Sequence, residues 1–136
     1  MKTDRITVDH IAIACRDVES MRAWYEDVLG FSVVARKAPS RPDASSTTYL
    51  VVPSGGGAML ELMPDDRAPP SARALFNPGI SHIALEVEEF GEWEARLSAK
   101  GVNWMGLAGE AMGGGMVRSF HDPEGNMLQI VKRRRG

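Results

Sequence analysis

Two stretches of alternating apolar and polar residues, DHIAIACRDV (9–18) and SHIALEVEEF (81–90), each carry a His at their head, and the two His lie 72 positions apart. Side chains with a period of two predict a half-buried strand in each case, over 6–14 and 80–87. Beyond each strand the period changes. Val18, Met21, Trp24, Tyr25, Val28 and Leu29 recur at helical spacing, with Asp17 placed to cap the start and Gly30 to close the end. Phe90, Trp93 and Leu97 repeat that face, and Gly101 closes the second helix 71 positions after Gly30. The register therefore holds across strand and helix together.

Each helix leads into three further strand patterns: 31–37, 47–52 and 58–63 in the first half, then a weak one at 102–105, 116–121 and 126–132 in the second. PSGGGA and DPEGN join the last two of each set, with Pro fixing φ and Gly permitting positive φ. The segment PDDRAPPSARALFNPG between the halves has the composition of a connector. The prediction is an α+β fold of one domain: two tandem βαβββ modules, 1–64 and 79–136, joined by a linker over 65–78.

Parity sorts the strand side chains. In the first strand Val8, His10, Ala12 and Ala14 share a face, opposite Ile11, Ile13 and Cys15. In its echo His82, Ala84 and Glu86 lie opposite Ile83, Leu85 and Val87. The bulkier faces suit the helices, so each His falls on the other side, beside alanines that leave room. The last strands align as MLELM and MLQIV, which sets Glu61 against Gln129. Glu61 shares its face with Met59 and Met63, and Gln129 shares its face with Met127 and Val131. A mid-strand carboxylate among apolar neighbours needs a partner. If the two sheets curve into one another, His10, Glu61, His82 and Gln129 offer two imidazoles, a carboxylate and an amide oxygen. That set suits an octahedral divalent ion with two open positions: Ni²⁺, Fe²⁺, Mn²⁺, Co²⁺ or Zn²⁺.

Composition narrows the classes. Apolar and charged fractions of 43% and 25% are those of an ordinary globular chain, and a net charge of −2 argues against a nucleic-acid partner. The basic run Lys132, Arg133, Arg134, Arg135 is expected to be a solvated tail. Cys15 is alone, so no internal disulfide is expected, and no apolar run approaches the ~20 residues of a membrane span. With no signal-peptide pattern at the N-terminus, the expected location is cytoplasmic, with no membrane partner. The stretch VNWMGLAGEAMGGGM has the length and glycines of a mobile lid, and Arg118 is a candidate for an anionic substrate group. His121 is expected at the surface, while Trp24, Tyr25 and Trp93 are expected to pack.

VDHIAIACRDVESMRAWYEDVLGF, AMLELMP, GISHIALEVEEFGEWEARLSAKGV and VRSFHDPEGNMLQIV together resemble the vicinal oxygen chelate superfamily over nearly the whole chain. That superfamily includes glyoxalase I, methylmalonyl-CoA epimerase, extradiol dioxygenases, and fosfomycin and bleomycin resistance proteins. The resemblance implies two modules forming a curved mixed-sheet cup with helices on the outer face, often in a homodimer. It implies metal ligands at His10, Glu61, His82 and Gln129. The fourth slot is commonly Glu in the family's enzymes, and an amide cannot accept a proton at neutral pH.

The function this implies is a divalent-metal-dependent lyase or isomerase of glyoxalase type. It would act on a small substrate with vicinal oxygens through a metal-stabilised enediolate, with Glu61 as the catalytic proton carrier. Met59, Met63, Met127 and Arg118 would contact the substrate. Two other classes fit the same cup. One is a non-haem iron ring-cleaving dioxygenase, for which the carboxylate sits in the less usual first-half slot. The other is a metal-free small-molecule binding protein, as in bleomycin resistance, whose methionines would give adaptable apolar contact.

Overall fold

The computed structural model describes residues 4–38, 47–64 and 78–134. The chain divides into two compact units, Met1–Pro69 and Pro70–Gly136. The linker expected over 65–78 lies, except for its last residue, outside the described residues. Each unit is a mixed β-sheet carrying a helix, which makes the fold α+β.

In the first unit β1 (His10–Cys15) runs into α1 (Val18–Leu29), followed by β2 (Ser32–Lys37), β3 (Thr48–Val52) and β4 (Met59–Pro64). The sheet order is β1-β4-β3-β2, with β1 and β4 parallel and the other pairs antiparallel. α1 begins where the Asp17 carboxylate accepts bonds from the Ser20 backbone N–H (3.1 Å) and hydroxyl (2.8 Å). It ends at Gly30, whose φ of 73° lets the Phe31 N–H return to the Tyr25 carbonyl. Val18, Met21, Tyr25, Val28 and Leu29 are buried on one helical stripe. They pack against β3 and β4, whose inward residues Tyr49, Val51, Leu60 and Leu62 are also buried. Each such side chain contributes about 1.5–3 kcal/mol of apolar burial, which is what holds the helix to its sheet.

The second unit repeats the plan with β5 (His82–Glu86), α2 (Phe90–Ala99), β6 (Asn103–Trp104), β7 (Gly109–Glu110), β8 (Gly115–His121) and β9 (Met127–Arg133). Its order is β5-β9-β8-β6, with β7 also on β8. β5 and β9 are parallel, as β1 and β4 are. Gly101, at φ 77°, returns the Val102 N–H to the Leu97 carbonyl and ends α2 as expected.

Three expectations change. The first strands of both units begin at His10 and His82, four and two residues later than the alternation suggests. The ladders to β4 and β9 start at Met59 and Met127, so among the described residues Ile6, Val8 and Ile80 have the strand pattern without a partner strand. Ile6 is 90% exposed as a result. The second unit also gains a strand, because β6 and β7 both pair with β8. The stretch expected to be a mobile lid is tied to β8 at 103–104 and 109–110, while Leu107 and Met112 between and beyond those points are exposed. The Met105 N–H bonds the Ser119 carbonyl, and the Arg133 guanidinium donates to the Met112 carbonyl. Among the described residues no helix is long and apolar enough to cross a membrane.

Candidate functional site

Pairing turns the parity rule into geometry. In the first unit His10 stands opposite Met59, Ala12 opposite Glu61 and Ala14 opposite Met63. All six lie on the face of the sheet away from α1, since the alternate residues Ile13, Cys15, Leu60 and Leu62 are buried. In the second unit His82 stands opposite Met127 and Ala84 opposite Gln129, the same diagonal relation in the same parallel pairing. The first unit therefore brings together His10, Glu61, Met59 and Met63, and the second His82, Gln129 and Met127, with an alanine beside each polar pair. Among the described residues no three His, Cys, Asp or Glu side chains gather as a ready-made cation cage.

Both histidines are held in the same way. His10 Nδ1 lies 2.8 Å from the Asp9 carboxylate, and His82 Nδ1 lies 2.9 Å from the Ser81 hydroxyl. In each case the residue just before the histidine occupies Nδ1, so Nε2 is the nitrogen presented outward. His10 Nε2 lies 3.9 Å from Glu61 Oε2, too far for a hydrogen bond but close enough for two groups to meet one atom between them. The Asp9 hydrogen bond raises the His10 pKa above its usual value; desolvation opposes this, and the charges of Asp9 and Glu61 add to it.

Gln129 Nε2 donates to the Ser119 hydroxyl at 3.2 Å, which leaves its amide oxygen as the outward acceptor. The donor set fits a divalent ion of the borderline kind. Imidazole nitrogen suits Zn²⁺, Fe²⁺, Ni²⁺ and Co²⁺, and the carboxylate and amide oxygens widen the choice to Mn²⁺. A carboxylate on the other ring nitrogen, as Asp9 is to His10, is an arrangement that metal-bound histidines commonly adopt.

Two side chains lie on other faces than the alternation suggests. Arg118 stands opposite Ile130, on the face that α2 covers, rather than on the face of Gln129. Its guanidinium is committed there: it bonds Glu94 at 3.0 Å and the Gly106 carbonyl at 2.9 Å, and lies 4.0 Å from the Trp104 ring. It ties α2 to the sheet from the face opposite Gln129. His121 moves the other way. It stands opposite Met127, half-buried, and shares its face with Ser119, Gln129 and His82. The Asp122–Asn126 turn, closed by the Asp122 N–H on the Asn126 carbonyl, fixes that register. Counting the turn length would have placed His121 from the sequence.

The model of the Glyoxalase/Bleomycin resistance protein/Dioxygenase superfamily matches residues 7–130. The chain belongs to this superfamily, as its motifs suggested. It is 29% identical over 126 residues to Glyoxylase I 4 of Arabidopsis thaliana, covering 91% of this chain and 69% of that protein. The glyoxylase/bleomycin resistance protein/dioxygenase domain from Frankia sp. EAN1pec superimposes with a TM-score of 0.78 at 21% identity, covering 97% of this chain and 95% of that one. A mutant of the fosfomycin resistance protein FosX from Listeria monocytogenes was solved with Mn(II) and 1S,2S-dihydroxypropylphosphonic acid. It superimposes with a TM-score of 0.65 at 16% identity, covering 93% of this chain and 90% of that one. At these identities the two structures support the fold.

Proposed function

We propose that this protein is a divalent-metal-dependent lyase or isomerase of glyoxalase type, acting on a small molecule with two neighbouring oxygens. One observation carries the proposal. The two units present His10 with Glu61 and His82 with Gln129 at matching ladder positions, each imidazole with Nδ1 engaged and Nε2 free. The similarity to Glyoxylase I 4 supports the same class.

In this proposal His10, Glu61, His82 and Gln129 hold one ion of Ni, Zn, Fe, Mn or Co. When bound, the ion supplies Lewis acidity that steadies negative charge on the two substrate oxygens. The chain's own groups do the rest. Glu61, the only carboxylate of the four, takes a proton from the substrate carbon and returns it to the neighbouring one. Gln129 orients without titrating, because an amide neither gains nor loses a proton near neutrality. Met59, Met63 and Met127 form the apolar contact surface, where flexible thioethers adapt to a ligand. The whole domain is taken to act as a cytoplasmic homodimer.

The test is elemental analysis of the purified protein, followed by melting curves with each of the five ions. Co-purified metal, or a clear rise in Tm with one of them, is expected. Isomerisation of 2-oxoaldehyde hemithioacetals by the loaded protein would then set the class. No metal and no change in Tm would leave a metal-free binding protein, lined by the same three methionines, as the better description.

A further inference from the structure

We propose that Asp9 is a positioning residue that locks His10 in a single tautomer and aims its Nε2 outward, while Ser81 holds His82 more loosely. The inference rests on the metal-site reading above.

The geometry is specific. Asp9 Oδ2 lies 2.8 Å from His10 Nδ1, and an ionised carboxylate can only accept, so Nδ1 must carry the hydrogen. Nε2 then holds the free lone pair. The Asp9 backbone is anchored, because its carbonyl accepts the Met59 N–H at 2.9 Å at the start of the β1 ladder, while its carboxylate is largely exposed. A carboxylate behind an imidazole also makes Nε2 a stronger donor.

Ser81 occupies the equivalent place, with its hydroxyl 2.9 Å from His82 Nδ1. A hydroxyl can give or accept a hydrogen bond, so it favours no tautomer and adds no charge. The two imidazoles are thus unequally held: Asp9 fixes the tautomer of His10, and Ser81 leaves that of His82 open.

The test uses the whole chain as Asp9→Ala, Asp9→Asn and Ser81→Ala. ¹⁵N NMR of the imidazoles, at a pH where they are neutral, reads the tautomer without any metal. Calorimetric titration with Ni²⁺ and Co²⁺ reads affinity. Wild type is expected to show His10 with hydrogen on Nδ1, and Asp9→Ala to shift it towards Nε2 and weaken binding on the order of 10–100-fold. Asp9→Asn, whose amide oxygen still accepts, should keep the tautomer and lose less affinity. Ser81→Ala should change both readouts least.

An unchanged His10 tautomer in Asp9→Ala overturns the inference, whatever the affinity does. Lost affinity with an unchanged tautomer would make Asp9 a direct ligand instead. Wild-type protein that binds neither ion removes the metal reading, while the tautomer measurement still decides whether Asp9 sets the ring.

Discussion

The two halves of this chain share a fold and differ in charge. Both use a parallel first-to-last strand pairing, a helix on one face, and a histidine diagonal to a polar side chain on the other. Yet the first half surrounds its histidine with carboxylates, Asp9 and Glu61, where the second has the neutral Ser81 and Gln129. Ladder register persisted because a shift of one residue would turn every inward side chain outward. The polar residues on the open face carry no such packing constraint, so the two halves can differ there. The charged neighbours of the histidine belong to the first half, while those of His82 are neutral.

The largest expected effect comes from erasing that difference in the first half. Glu61→Gln should reduce affinity for Ni²⁺ or Co²⁺, read by calorimetry, by at least the ~100-fold seen when strong supporting partners are lost. Gln129→Ala should cost distinctly less. The reverse exchange sharpens the contrast: Gln129→Glu adds a second carboxylate and should tighten binding roughly tenfold, because ligand charge sets affinity at cation sites. Equal losses for Glu61→Gln and Gln129→Ala would remove the claimed asymmetry.

Stability offers smaller contrasts. Gly115 begins β8 at φ 111°, and a Cβ there would lie 1.9 Å from the Lys132 carbonyl oxygen. Gly56, in the first half's turn, has φ 82° and open space around it. Gly115→Ala should therefore cost more than Gly56→Ala, and more than ~1 kcal/mol by chemical denaturation.

The smallest effect concerns the caps. Asp17 bonds Ser20, whereas Glu89 at the head of α2 makes no side-chain cap bond. Asp17→Ala should lower Tm by a few degrees and Glu89→Ala by almost nothing. The Ser20 bonds, backbone first, hold the Asp17 pKa below its usual value. The folded state thus binds that proton less readily than the unfolded one. This stabilisation is complete above the ordinary carboxylate pKa and disappears as pH falls through the lowered one. The Tm difference between wild type and Asp17→Ala should vanish in that acid window.

The repeat was the most legible feature of the sequence, because one buried face and one open face impose a period of two on strands and 3.6 on helices. Asp17, Gly30 and Gly101 announced their caps by residue type alone. Strand starts were less legible: Ile6 and Val8 alternate correctly, but a strand also needs a partner, and β4 begins only at Met59. β7 is two residues long and has no periodicity to detect. Arg118 reads from the sequence as an anion contact because it follows a glycine-rich loop. Its true partner, Glu94, comes from α2, 24 positions earlier. His121 was missed because its face depends on the length of the turn that follows it.

Anomalous diffraction from crystals of the whole protein soaked in Co²⁺ or Ni²⁺ tests the proposed ligand set most directly. The expected result is one strong peak with His10 Nε2 and His82 Nε2 each about 2.0–2.2 Å away, flanked by oxygens of Glu61 and Gln129. A peak bound by one half alone, or none within reach of either imidazole, would contradict it.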